Sequence, residues 1–132
     1  MQIIRDPADT ASIADPALLA LVQKTIAALS PDGPYDPDVL GYFLIVQPGD
    51  TIAMLDAQLG FPILTNKWTD CRFDQPGYTQ HFEILEEHAG YFEIVFLLDD
   101  SGYGIEVIVP KAIDLPELLA MCNRFAVPAI VP

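Results

Sequence analysis

From His81 to Lys111 the chain alternates between apolar and polar or small residues in a way that specifies strands rather than helices. The runs HFEILEE, YFEIVFL and GYGIEVIV are rich in β-branched and aromatic side chains, and they are separated by Ala89-Gly90 and Asp99-Asp100-Ser101-Gly102, turn-forming residues at hairpin spacing. Two consecutive hairpins over 81–110 follow. Because side chains in a strand alternate faces, the register decides which residues reach the core. Setting Leu98 opposite Tyr103 places Phe96 opposite Ile105, Ile94 opposite Val107 and Phe92 opposite Val109, so one face of the second hairpin is wholly apolar. A three-residue loop His88-Ala89-Gly90, with glycine left-handed, brings Ile84 opposite Ile94 and Phe82 opposite Phe96. The reverse face then carries Leu85, Val95, Leu97 and Ile108, interspersed with Glu83, Glu93 and Glu106. A face so mixed is expected to be covered in part, by a loop of the same chain or by a second copy.

Helical periodicity appears in three places. Asp15-Pro16 is a cap followed by a residue suited to the first turn, and Leu18, Leu19, Val22, Ile26 and Leu29 then recur on one face, predicting a helix over 16–30. Ile52, Leu55 and Leu59 predict a helix over 51–59, capped by Asp50 or Thr51 and ended by Gly60. Leu115, Leu118, Leu119, Cys122 and Phe125 predict a helix over 115–125, with Asp114 and Glu117 at capping-box spacing. Between the first two lies a proline-rich connector, 30–38, and then VLGYFLIV from Val39 to Val46, a continuous apolar run, with a strand expected over 39–47 covered on both faces. Gln2-Ile3-Ile4-Arg5 is long enough only for an edge strand. The expected fold is therefore a single α+β domain, 1–132. It has a mostly antiparallel sheet of about four strands and at least two helices packed on one face.

Composition narrows the function classes more than it names one. The chain of 132 residues is 52% hydrophobic with a formal charge of −13, from 19 acidic against 6 basic residues. Such a surface repels phosphate backbones and anionic lipid, which argues against nucleic acid and membrane as partners and toward a basic protein surface. Mean hydropathy of +0.32 and dispersed charges argue for a packed core. No long apolar span and no basic, apolar leader pattern is visible, so the expected compartment is cytoplasmic. Cys71 and Cys122 lie apart with no metal-ligand spacing, as expected of reduced thiols.

No catalytic motif stands out and no cofactor is implied. Cys71 with His81 and Asp74 supplies the residue types of thiol chemistry without a family signature around the cysteine. Glu83, Glu93, Glu106 and His81 could meet a divalent ion, yet carboxylates on adjacent strands are usually just solvated, and no metal is assigned. The first candidate site is thus the acidic face, Glu83, Glu93 and Glu106, as a binding surface for an immunity-like or chaperone-like accessory protein. The second is the irregular stretch 61–81, with Trp68, Asp70, Arg72, Asp74, Tyr78 and His81 as the residues of a small enzyme or ligand-binding site. The stretch YFLIVQPGDTIAMLDAQLGF, residues 42–61, resembles the first half of a LysM carbohydrate-binding module in its strand, PGDT turn and helix. That resemblance implies glycan binding, and it covers about twenty residues before PILTNKWTDCRF departs from the pattern. A homodimer would also cover the mixed face and the apolar tail VPAIVP.

Overall fold

The structure is a computed structural model that describes residues 1–31, 33–64, 81–97 and 103–128, the side chains of 81–84 excepted. Six strands form one mixed sheet in the order β1-β2-β5-β4-β3-β6: β1 Gln2–Ile4, β2 Gly41–Ile45, β3 His81–Glu87, β4 Tyr91–Leu97, β5 Gly104–Pro110 and β6 Val127–Pro128. The α+β class holds, but the sheet is neither four-stranded nor mostly antiparallel. β2 runs parallel to β5, and β3 runs parallel to β6. The reason is the crossover. After β2 the chain leaves through a helix, and the meander β3-β4-β5 returns β5 alongside β2 in the same direction, as a parallel pair requires.

The helices are α1 Pro16–Leu29, α2 Pro37–Leu40, α3 Ile52–Leu59 and α4 Pro116–Phe125. Asp15 caps α1 by accepting from the amides of Ala17 and Leu18. Thr51 caps α3 through Met54 N–H, while Asp50 accepts from Gln47 N–H and closes the PGD turn. The expected capping box of α4 does not form. Pro116 takes the first helical position, which makes Leu115 the cap residue, and it has no side-chain acceptor. Strand 39–47 is shorter than expected at its start, because Asp36 and Pro37 nucleate α2 and draw Val39 and Leu40 into a helical turn.

Two cores lie on opposite faces of the sheet. On the first, Tyr42, Leu44 and Val46 join Phe92, Ile94, Phe96, Ile105, Val107 and Val109 beneath α3 and α4, represented by Leu55, Leu59, Leu118 and Met121. On the second, Ile4, Phe43, Ile45 and Ile108 pack against Leu18, Val22 and Ile26 of α1. The layering is helix, sheet, helix. The cover expected from a loop or second copy is thus in part α1 of the same chain, which buries the β1, β2 and β5 end of the second face. Among the described residues no helix is long and apolar enough to cross a membrane.

Register was legible in one hairpin and shifted in the other. Phe92, Ile94 and Phe96 face Val109, Val107 and Ile105, as the apolar pattern requires. In the first hairpin His88 N–H donates to the Tyr91 carbonyl at 2.9 Å, so the turn is Ala89-Gly90, one residue shorter than expected, and Gly90 does not take a positive φ. Leu85, not Ile84, therefore faces Ile94, and Glu86 faces Glu93. A bulge at Glu83 restores Phe82 to its expected place opposite Phe96. The slip moves Leu85 into the first core, where it is 4% exposed, and sends Glu86 to the second face.

Cys122 lies on the inner stripe of α4, fully buried, with burial pushing its thiol up to about 12. It is a packing residue. In a Cys71→Ser background Cys122 should be inert to an aromatic disulfide reagent in the native protein and react only at the rate of unfolding. Rapid modification of the folded protein would contradict that placement.

Candidate acidic site on the second face

The part of the second face that α1 leaves to polar groups is built by β3, β4 and β5. Glu86 and Glu93 stand directly across from each other on β3 and β4, while Glu106 on β5 faces Val95, two residues along from Glu93. Adjacent strands bring cross-strand and diagonal side chains within reach of one another. Glu93 is only 8% exposed, and Glu106 is partly buried and hydrogen-bonded to it. These are not solvated carboxylates on an open outer face. Burial, the hydrogen bond with Glu93 and the negative charges of Glu93 and Glu86 all raise the Glu106 carboxyl, from an ordinary 4.5 up to about 10. Two like charges cannot share so small and dry a space, and neutral Glu106 donates to Glu93 instead.

His88 closes the cluster from the turn. Its Nε2 lies 3.0 Å from Glu93 Oε1 and 3.8 Å from Glu86 Oε2. Its ring stacks on Tyr91 at 4.6 Å and 17°. Burial, then the charges of Glu93 and Asp15, raise the Tyr91 hydroxyl above its usual 10.0. The ligand-type atoms of Glu86, His88 and Glu93 lie within 4.8 Å of one another, close enough to share a cation. Nε2 and Glu93 Oε1 are within hydrogen-bond distance of each other.

On the other side of Glu106 is a cavity of about 180 Å³ between the end of α1, the connector and the sheet, walled by Leu29, Tyr35, Leu40, Val95 and Leu97. Tyr35 O–H donates to the Gly41 carbonyl at 2.6 Å. Its hydroxyl is raised to about 12, chiefly by burial and then by Glu106 and Tyr103. The sheet therefore carries a continuous polar path, His88 to Glu93 to Glu106, that begins at the β3–β4 turn and ends at an apolar cavity.

Of the residues expected in the acidic face, Glu93 and Glu106 meet, whereas Glu83 occupies the bulge and its side chain lies outside the described residues. Glu86 and His88 take the positions expected for Glu83 and His81. The signal for them was present: a two-residue turn at Ala89-Gly90 pairs Glu86 with Glu93. In the second candidate site His81 opens β3 opposite Leu97, and its side chain lies outside the described residues, as do Trp68, Asp70, Arg72, Asp74, Tyr78 and Cys71. Comparison with known protein families, with curated proteins and with solved structures finds no match for this chain, the LysM-like stretch included.

Proposed function

We propose that this chain is a cytoplasmic, non-enzymatic binding domain that engages a basic surface of a partner protein through the acidic end of its second face. The observation that carries this reading is the gathering of Glu86 and Glu93 at the His88 imidazole, with Glu106 hydrogen-bonded to Glu93. Carboxylates drawn into one half-buried patch attract a complementary positive surface and hold it in register more than they stabilise the fold. The formal charge of −13 acts in the same direction at longer range. Many other carboxylates have a local task instead: Asp6, Asp9, Asp15, Asp36, Asp50 and Asp56 each accept from backbone amides. Among the described residues, Glu86 and Glu93 instead meet the His88 side chain, and Glu106 meets Glu93.

The test is affinity capture with the full chain, followed by calorimetry on the purified partner. The expected partner presents a lysine- or arginine-rich patch, and its affinity falls about tenfold or more as salt rises from about 0.05 to 0.3 M, since exposed charges are screened over about 8–10 Å. Glu86→Gln should weaken it several-fold while leaving the melting temperature nearly unchanged. An acidic partner, or binding indifferent to salt and to Glu86→Gln, would overturn the reading.

A further inference from the structure

We propose that the cavity beside Glu106 seats a lysine side chain of the basic partner, its methylenes against the apolar walls and its ammonium between the carboxyls of Glu106 and Glu93. The inference rests on the function proposed above and identifies the group that anchors the partner. The cavity's about 180 Å³ is many times the roughly 30 Å³ of one water in the liquid. It suits a slender apolar stem, because Leu29, Leu40, Val95 and Leu97 form its walls. Leu29, in its lining, is also 42% exposed, which puts that part of the cavity wall at the surface at the end of α1.

Two of the polar side chains that line the cavity bond to backbone carbonyls: Thr25 O–H donates to the Leu21 carbonyl, and Tyr35 O–H donates to the Gly41 carbonyl. The carboxyl in its lining is Glu106, whose own hydrogen bond runs to Glu93. A buried carboxyl pair is neutralised either by a proton or by a fixed cation. An arriving ammonium supplies the cation, and the proton that Glu106 gives up leaves to solvent, so the charge of the pair and its occupant balances. A compact ammonium with three donors suits two carboxyls on different strands. A guanidinium fork matches the two oxygens of a single carboxylate.

The proposal is tested on the full chain with n-butylamine as the probe, followed by amide and methyl NMR. n-Butanol, butyrate and n-propylguanidine serve as controls. Butylammonium should give saturable shifts at Leu29, Val95, Leu97 and Gly104, at an affinity about tenfold or more above that of butanol. Butyrate should give none. Calorimetry in buffers of different ionisation heat should show release of up to one proton per amine bound. Glu106→Gln, which keeps the side-chain shape, and Leu29→Trp, which blocks the mouth from an exposed position, should each weaken the amine about tenfold or more. Equal binding of butanol and butylamine, tighter binding of propylguanidine, or undiminished binding to folded Glu106→Gln would each overturn the assignment. The two proposals separate cleanly. If butylamine binds as expected but no basic protein does, the proposed function fails and the amine chemistry of the cavity stands. If a basic protein binds wild type and Glu106→Gln equally, the lysine seat fails and the function stands.

Discussion

Gly41→Ala should cost roughly 3 to 5 kcal/mol, enough to unfold many domains whose total stability is about 5–15 kcal/mol. Gly41 begins β2 with φ of 92°, and a Cβ built there would stand 1.5 Å from the carbonyl oxygen of Gly104, its partner on β5. With ψ of −158°, this positive-φ extended conformation alone costs a side-chain-bearing residue about 1–3 kcal/mol. The overlap is worse, since the obstacle is backbone and no rotamer change removes it. β2 would have to withdraw from β5, opening the parallel seam that holds both cores together. Gly49→Ala is the control: φ is also 92°, yet nothing lies within 4 Å of the added carbon. Urea melts of the two variants should differ by several kcal/mol. Equal losses would mean that backbone conformation, not the close approach of β2 and β5, sets the requirement for glycine.

Stability should also fall as pH rises across neutrality, the reverse of what paired carboxylates usually give. The folded protein holds the Glu106 proton up to about pH 10, whereas the unfolded chain releases it near 4.5. A group raised in this way contributes its full stability below the unfolded value and loses it as pH climbs through the folded one. Within that window the loss approaches about 1.4 kcal/mol per pH unit for one proton. The cause is burial first, then Glu93 and Glu86; Tyr35, on the connector, lines the same cavity as Glu106. Glu106→Gln removes the titrating group and keeps a donor toward Glu93. Its melts should be nearly flat from about pH 5 to 9, comparable to wild type at the acid end and more stable at the alkaline end. Curves that fall in parallel would place the pH dependence elsewhere.

How much of this was legible in the sequence turns on particular residues. The second hairpin was readable because Phe92, Ile94 and Phe96 face Val109, Val107 and Ile105 in only one register that keeps polar side chains out of the core. The helices were readable from Asp15, Thr51 and the spacing of leucines. The first hairpin was ambiguous, since Ile84 and Leu85 are adjacent and equally apolar. Hydrophobic pattern could not decide between them, and the length of one turn did. That single residue replaced Glu83 with Glu86 and brought His88 into the cluster. The parallel pairing of β2 with β5 was not readable from local pattern, because a run buried on both faces looks alike in either direction. The cavity depends on Tyr35 and Leu40, which the proline-rich connector folds back over the sheet through contacts distant in sequence.

Glu106 held neutral in a dry cluster is the central feature of the second face, and the carboxyl carbon of that residue reports on it directly. Selective ¹³C labelling of glutamate, with Glu106 assigned by its loss in Glu106→Gln, gives a pH titration of the native protein. The predicted result is a Glu106 Cδ shift at the protonated position through neutral pH that moves only as pH approaches about 10. Titration together with the exposed glutamates, near the ordinary 4.5, would contradict the account.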